Sequence, residues 1–207
     1  MSKNYYLHLE GMDLAGKSTI AKLIVKNSGL DWIIYNSCLS QKNPIQELIK
    51  ILLKQNVYDD EIFGYLLFVA LMNDIKVFEL NKNMIQDSAL LLRSIIYHKE
   101  AKHYTLVKLF EGLVERHPVP DISIYLTASI DVRRRRLIKR MQEDSKVVTC
   151  NDRMILNNPE KFVKMDNSLM KLSKKIFNSI VIDTSEMTEI QTLDYIIYLL
   201  HCNDLRK

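Results

Sequence analysis

Two glycines, a lysine and a serine near the start of the chain have the spacing of a phosphate-binding loop, G-x-x-x-x-G-K-S. The glycines let the backbone turn its N–H groups toward an anion, and the helix that follows adds its positive end. The lysine can reach the terminal phosphates of a nucleotide, and the serine hydroxyl can bind Mg²⁺. We therefore predict an ATP site formed by Gly11, Met12, Asp13, Leu14, Ala15, Gly16, Lys17, Ser18 and Thr19.

A run of arginines later in the chain is the strongest cationic feature. On a helix Arg133, Arg136 and Arg140 share one face, because they are three and four residues apart. Guanidinium groups on such a face could clamp phosphates and stabilise charge during phosphoryl transfer. The alternative is a solvated basic surface or an RNA-binding patch, which suits the intervening Arg134 and Arg135. We predict that Lys17, Asp13, Arg136, Arg140 and Arg153 are catalytic. The three arginines would close over the γ-phosphate, next to a lid at residues 141–158.

Five short apolar runs alternate with helical patterns and must position these residues. The runs at 5–9, 32–35, 83–86, 122–126 and 180–182 are predicted strands. Predicted helices include 16–27, a long and largely buried helix over 59–81, a helix over 90–116 and a basic helix over 131–141. Residues 144–158 are expected to be irregular. The pattern indicates a three-layer α/β fold, with a mostly parallel five-stranded sheet, helices on both faces and one domain over 1–207.

The end of the third strand supplies a candidate metal ligand. Ligands of parallel sheets bind beyond the carboxyl ends of the strands, and Asp87 follows the third strand directly. We predict that Ser18 and Asp87 hold Mg²⁺ beside the phosphate loop. The alternative for Asp87 is the N-cap of the next helix, a role compatible with metal binding.

The composition is that of a globular protein. The 207 residues are 47% hydrophobic and 26% charged, with a net charge of +4. This mild basicity makes nucleic acid an unlikely partner. No run reaches the roughly 18 apolar residues of a membrane helix, and the first residues do not resemble a signal peptide. We therefore expect a cytoplasmic protein without a membrane partner.

Several motifs together resemble the thymidylate kinase-like branch of P-loop kinases. The segment from Glu10 to Thr19 is similar to the family's E-G-x-D-x-x-G-K-[ST]-T, and Leu66-Leu67-Phe68 resembles its L-L-F helix. Residues 120–126 resemble its P-D-x-x-x-Y-L strand, and Asp152-Arg153 resembles the D-R of its lid. The resemblance implies the P-loop kinase fold, Mg²⁺·ATP as donor, a nucleoside monophosphate or related small acceptor, and a homodimer formed through the long central helices.

The acceptor side departs from the family pattern. Asn36-Ser37-Cys38 stands where the family has R-E-P, and Asp87 is followed by Ser88 instead of arginine. The family's base-contacting arginine aligns near Met72, and its Y-Q pair corresponds to Tyr97-His98. Three acceptor-side arginines are thus missing. Arg93 could substitute for one, since it follows Asp87 by about one and a half helical turns. The candidate acceptor residues are Asp13, Phe68, Arg93, Tyr97 and His98.

The sequence leaves two other functions open. A kinase for an uncharged nucleoside needs a general base, and residues 36–40 contain no acid. Asp13 or Asp87 would have to supply it. A regulatory module that binds ATP but phosphorylates no acceptor would explain the missing arginines, although an arginine-rich lid favours a kinase.

Overall fold

Five parallel strands form a single sheet in the computed structural model, which describes residues 4–40, 43–55, 59–143 and 149–204. The strand order is β2-β3-β1-β4-β5, and every pairing is parallel. The sheet confirms the predicted five-stranded α/β architecture. The strands are β1 Tyr6–Glu10, β2 Trp32–Asn36, β3 Asn83–Asp87, β4 Ile122–Thr127 and β5 Ile180–Asp183.

The described residues also form nine α-helices and one short 3₁₀ helix, Val114–Arg116. Local signals begin and end several of them. Asn43 caps α2 by accepting a hydrogen bond from the Ile45 N–H at 3.0 Å, and Gly29 adopts the left-handed conformation after α1. The helices are α1 Lys17–Asn27, α2 Pro44–Gln55, α3 Asp60–Val77, α4 Leu90–Glu100, α5 Tyr104–Glu111, α6 Ile130–Glu143, α7 Cys150–Asn157, α8 Pro159–Phe177 and α9 Glu189–Asp204.

Alternate residues of the central strand β1 pack into two different apolar layers. Tyr6 joins the layer that contains residues of α3, α4, α5 and α8, whereas Leu7 and Leu9 join the layer of α1 and α9. Leu9 lies level with Asp87 of β3 and with Ile124 of β4. This register brings the carboxyl ends of three strands together at one edge of the sheet, where the phosphate loop begins.

The prediction of one helix over 90–116 is wrong. The chain turns between α4 and α5, where Lys102 adopts a left-handed φ of 64° and the His103 N–H donates to the His98 carbonyl at 2.9 Å. This turn lets α5 fold back so that Phe110 stacks on His98. Neither glycine nor proline marks the break in the sequence.

Two further expectations need correction. Helix α3 ends at Val77 and is not largely buried, since Ile62, Val69 and Met72 are 44–61% exposed. Residues 150–157 of the expected irregular segment form α7, because Thr149 and Asp152 make a reciprocal capping box at its start. Residues 144–148 of the predicted lid lie outside the described residues. No helix in the described ranges is long and apolar enough to cross a membrane.

Candidate active site

The phosphate loop needs glycine at both ends for steric reasons. Gly11 has a φ of 141°, and a Cβ there would lie 2.1 Å from the Leu126 carbonyl oxygen of β4. Gly16 has a φ of 101° and directly precedes α1, with open space around the position of its absent Cβ. Both conformations are rare for residues with side chains. The loop therefore leaves the sheet in tight contact with β4 and enters the helix in the geometry that suits an anion site.

Each backbone carbonyl from Gly11 to Ala15 accepts a hydrogen bond from a side chain. Three of these donors are arginines from α4 and α6, and the others are Lys17 and a threonine that follows β5. Their charges surround the loop with positive potential, which favours a polyphosphate ligand. The pairs are Gly11–Arg93 at 2.6 Å, Met12–Lys17 at 3.3 Å, Asp13–Arg133 at 2.7 Å, Leu14–Arg136 at 2.9 Å and Ala15–Thr184 at 3.3 Å.

Lys17 is buried at the centre of this loop. Burial lowers the pKa of its ammonium group, and the nearby Arg93 guanidinium lowers it further. Asp87, Asp13 and Glu10 act in the opposite direction. A phosphate beside Nζ would supply the negative charge that this buried cation lacks. The residue is therefore suited to neutralise charge on a nucleotide.

Glu10 lies beneath the loop and joins several elements. One carboxylate oxygen accepts from the Gly11 N–H at 3.0 Å and from Arg93 Nε at 3.2 Å, and the other accepts from the Ala89 N–H at 2.8 Å. Burial alone would raise the pKa of Glu10, but Arg93, His8 and the Ala89 N–H bring it down to about 2. Glu10 thus stays ionised and holds Arg93 and the start of α4 against the loop.

Ser18 and Asp87 meet as the sequence predicted. The Ser18 hydroxyl donates to Asp87 Oδ2 at 2.5 Å, next to Lys17. Asp87 is not the cap of α4, whose N-cap is Ala89. No group of three or more histidine, cysteine or acidic side chains suited to a metal occurs among the described residues. One hydroxyl and one carboxylate fit Mg²⁺, which commonly takes its remaining ligands from phosphates and water.

The structure separates the three lid arginines. Arg136 donates to the Leu14 carbonyl and to Thr184, so its guanidinium is anchored on the loop backbone. Arg140 lines a cavity of about 190 Å³ together with Lys17 and Ser18. Arg153 is exposed, because the neighbouring Asp152 turns inward and pairs with Arg140 at 3.4 Å. Two of the three predicted arginines therefore reach the loop.

A second cavity adjoins the first and shares Leu14, Gly16, Thr19 and Arg140 with it. It measures about 390 Å³ and is lined by Gly16 and Arg136 together with Thr184, Thr188 and Glu189 from the segment after β5. This size and mixed polar lining suit a nucleotide base. The cavity places a candidate base site beside the phosphate loop, which the sequence did not predict.

Arg93 and Asp13 face each other where the loop meets α4. Arg93 Nη1 lies 3.9 Å from Asp13 Oδ1, while its Nε and Nη2 are hydrogen-bonded to Glu10 and Gly11. The two side chains are 17% and 21% exposed. One turn further along α4, the Tyr97 hydroxyl contacts the Met12 sulfur at 4.0 Å. Three of the five predicted acceptor residues thus converge on the first half of the loop.

Phe68 and His98 meet at a different contact. Both rings pack on Phe110. The Phe68 and Phe110 rings meet edge to face with their centroids 5.6 Å apart, and the His98 ring stacks on Phe110 with its centroid 5.7 Å away. His98 is only 8% exposed, and α3 approaches it closely at Gly64. Burial, followed by the nearby His103, lowers its pKa. His98 therefore packs helices together and is not available to an acceptor as predicted, whereas Phe68 is only partly buried.

Sequence reasoning missed Arg133, Asp166 and Thr184. Arg133 belongs to the arginine face that the spacing identified, but its contacts could not be foreseen. Asp166 is an acidic residue next to the apolar positions Phe162, Met165 and Leu169 of the lysine-rich helix α8, and this pattern was an available signal. Thr184 directly follows β5, so the strand-end rule that located Asp87 could have located it as well.

Comparisons with known proteins agree with this geometry. The family model described as Thymidylate kinase matches residues 9–193. A thymidylate kinase from Candida albicans superposes with a TM-score of 0.65 at 18% identity, over 100% of this chain and 96% of that chain. A deoxyadenosine kinase from M. mycoides, solved with dATP and with dCTP, gives TM-scores of 0.59 at 18% and 21% identity. These two structures cover 94% and 95% of this chain and 98% of that kinase.

At these identities the structural likenesses show the fold alone. No curated protein sequence matches the chain significantly. The family model, in contrast, spans most of the chain, from the last residues of β1 into α9. The chain therefore belongs to the thymidylate kinase family and is an ATP-dependent nucleotide or nucleoside kinase.

Proposed function

We propose that the protein transfers the γ-phosphate of ATP to a nucleoside monophosphate. The observation that carries this choice is the position of Arg93, which is held against the loop by Glu10 and Gly11 while Nη1 remains beside Asp13. A guanidinium fixed on one side can receive a phosphate on the other, and charge-assisted contacts of this kind are strong. Arg93 would thus replace the acceptor-side arginines that the sequence lacks.

On the donor side, the loop from Gly11 to Thr19 would bind the phosphates of ATP. Lys17 would neutralise charge on the transferring group, Arg140 would contact the phosphates from the lid side, and the base would occupy the cavity beside Arg136. Ser18 and Asp87 would hold Mg²⁺, which when bound offsets charge on the phosphate oxygens. The supporting observations are the 2.5 Å contact of Ser18 with Asp87 and the burial of Lys17.

On the acceptor side, Phe68 would offer its exposed ring face to the base, and Asp13 and Tyr97 would contact the sugar or phosphate. Phe68 is only partly buried and is already oriented by its edge contact with Phe110. Aromatic rings bind bases by stacking with little dependence on base identity. His98 is left out of this pocket because it is buried between helices.

A nucleoside is the second candidate acceptor, and the exposure of Asp13 is the observation that favours it. Asp13 is the acidic residue within the phosphate loop, and 21% of its side chain is accessible. A carboxylate in this position could accept the proton of an attacking hydroxyl. Both carboxylates have hydroxyl partners, Ser18 for Asp87 and Thr149 for Asp13. Asp13 is the better candidate for such a base because Asp87 is only 6% exposed.

We also propose that the protein forms a homodimer through α3. Ile62, Tyr65, Val69 and Met72 are 38–61% exposed and follow the 3-4-3 spacing of a helix seam. A two-fold axis would bring this same stripe from two copies together and bury it. Val69→Glu should convert the dimer into a monomer in sedimentation velocity, and a wild-type monomer at micromolar concentration would contradict the proposal.

The acceptor is tested by measuring ATP consumption with a panel of nucleoside monophosphates and their parent nucleosides, followed by identification of the product. We expect turnover with at least one monophosphate and formation of the corresponding diphosphate. Turnover with nucleosides alone would favour the Asp13 alternative. ATP binding without turnover for any acceptor would contradict both.

A further inference from the structure

Arg133 is the largest fully buried side chain described, with 1% of it exposed. Its Nε donates to the Ala128 carbonyl at 2.8 Å and its Nη1 to the Asp13 carbonyl at 2.7 Å. Its Nη2 donates to Thr127 Oγ1 at 3.1 Å and to Asp166 Oδ2 at 2.8 Å. The guanidinium also lies 5.1 Å from the ring centre of Phe162. Every guanidinium nitrogen of Arg133 donates a hydrogen bond inside the protein. The side chain is therefore not placed to bind a ligand from solvent.

Asp166 of α8 is the ionic partner of Arg133, and it reaches the loop as well. Its Oδ1 accepts from the Met12 N–H at 3.4 Å and from the Tyr125 hydroxyl at 2.6 Å. Its Oδ2 accepts from Thr127 Oγ1 at 3.0 Å in addition to Arg133. Burial and the charge of Asp166 both raise the pKa of Tyr125, which keeps that hydroxyl protonated as a donor.

The pair thus binds backbone groups of two successive residues of the phosphate loop, Met12 and Asp13. Asp166 accepts from the N–H of Met12, and Arg133 donates to the carbonyl of Asp13, the next residue. An ion pair between α6 and α8 would need neither contact if it only joined the two helices. Apolar side chains of similar size often pack two elements together as well as a buried ion pair does. They cannot, however, fix the orientation of backbone N–H and carbonyl groups.

We propose that Arg133 and Asp166 are positioning residues that orient the phosphate loop before ATP binds. They do not touch the nucleotide. Arg133 fixes the Asp13 carbonyl and Asp166 fixes the Met12 N–H, so the peptide groups that follow along the loop are already oriented when the phosphates arrive. This inference rests on the proposed binding of ATP phosphates by residues 11–19.

The test compares Arg133→Met, Asp166→Asn and the double variant with wild type. The double variant leaves no unpaired buried charge, so it separates the loss of orientation from the loss of stability. Calorimetry with Mg²⁺·ATP at low temperature gives Kd, steady-state kinetics give the two KM values, and thermal melting gives Tm. We expect the double variant to bind ATP about tenfold to a hundredfold more weakly. Its KM for the acceptor should stay within about twofold of wild type, because the pair contacts only the donor loop.

Two further variants make the result decisive. Arg135→Gln removes the same charge from an exposed position of α6, and it should leave the Kd for ATP within about twofold of wild type. Arg133→Lys keeps the buried charge, and it replaces the double variant in the test if that variant does not fold. It should bind ATP with intermediate affinity, because an ammonium cannot reproduce the fork that joins Asp13 to Asp166.

Wild-type affinity for ATP in a variant that melts earlier, whether the double variant or Arg133→Lys, would show that the pair is only structural and would overturn the inference. A wild-type protein that binds no ATP would instead contradict the proposed donor site and, with it, the inference. The two failures are therefore distinguishable.

Discussion

The donor half and the acceptor half of the site are built differently. On the donor side, side chains from α1, α4, α6 and the segment after β5 hold the five loop carbonyls from Gly11 to Ala15. On the acceptor side, the segment from Asn36 to Ser40 is uncharged, and Arg93 is the cation that meets Asp13. Binding a polyphosphate demands many fixed positive groups, whereas a small acceptor can be recognised by few. Under the proposed function, the kinase would keep the family's donor chemistry and would recognise its acceptor in its own way.

Glu10 and Arg93 connect the two halves. Glu10 bonds to the loop at Gly11 and to the start of α4 at Ala89, and it also holds Arg93. Arg93 in turn donates to the Gly11 carbonyl. A substitution of either residue should therefore affect both the donor side and the acceptor side of the site. Substitutions of other site residues should affect only one of the two sides.

The largest effect is expected for Lys17 on the donor side. Lys17→Met should lower kcat by roughly a thousandfold, because the buried ammonium is the group best placed to offset charge on the transferring phosphate. Single-turnover kinetics measure this loss. Lys22→Met, at an exposed position of the same helix, is the control and should retain full activity. A loss of less than tenfold for Lys17→Met would contradict the assigned role.

Asp87 should give the next largest effect, again on the donor side. Asp87→Asn should raise the Mg²⁺ concentration needed for half-maximal activity by about tenfold to a hundredfold, since an amide binds the cation more weakly than a carboxylate. Titration of Mg²⁺ at saturating ATP measures this shift. Asp31→Asn removes an exposed carboxylate paired with Lys82 and should leave the titration unchanged. Equal Mg²⁺ dependence in both variants would exclude Asp87 as a ligand.

Phe68 tests the acceptor side. Phe68→Leu keeps an apolar side chain against Phe110 but removes the aromatic face, so the KM for the acceptor should rise by about tenfold. The KM for ATP should not change, because the ring is assigned to the acceptor alone. Phe78→Leu, which removes another ring that packs at the end of α3, provides the comparison. If Phe68→Leu raised the KM for ATP instead, Phe68 would not belong to the acceptor side alone, and the separation of donor and acceptor sides would be wrong.

Glu10 should affect stability more than catalysis. Its folded pKa of about 2 lies below the ordinary 4.5, so its stabilising contribution is complete above pH 4.5 and is lost as the pH falls toward 2. Glu10→Gln should lower Tm by about 5–10 °C at pH 7, with a difference from wild type that shrinks between pH 4.5 and 2.5.

Melting curves across this pH range measure the effect of Glu10, and Glu115→Gln at an exposed position is the control. A difference in Tm between wild type and Glu10→Gln that does not change with pH would show that the ionised carboxylate is not what stabilises the loop.

Local motifs made the donor half predictable. The spacing of Gly11, Gly16 and Lys17 depends only on neighbours in the chain, and the strand-end rule located Asp87 correctly beside Ser18. The capping box of Thr149 and Asp152 is also a local signal in the sequence. It would have predicted helix α7 where an irregular segment was expected.

Contacts between distant segments were not predictable. Arg133 meets Asp166, 33 residues away, and the inward turn of Asp152 leaves Arg153 exposed. Helical spacing placed Arg133, Arg136 and Arg140 on one face, but it could not show that the first two bind loop carbonyls instead of phosphate. Burial of α3 was overestimated because an apolar helix face gives the same pattern whether it packs inward or onto a second copy.

We propose that one arginine, Arg93, gives the acceptor half its recognition of phosphate. The most direct test is the ratio of kcat/KM for a nucleoside monophosphate to that for its parent nucleoside, in wild type and in Arg93→Lys. Lysine keeps the charge next to Glu10 but loses the second arm that faces Asp13. We predict a ratio well above one in wild type and a fall of at least about tenfold in Arg93→Lys. An unchanged ratio, or a wild-type preference for the nucleoside, would contradict the account.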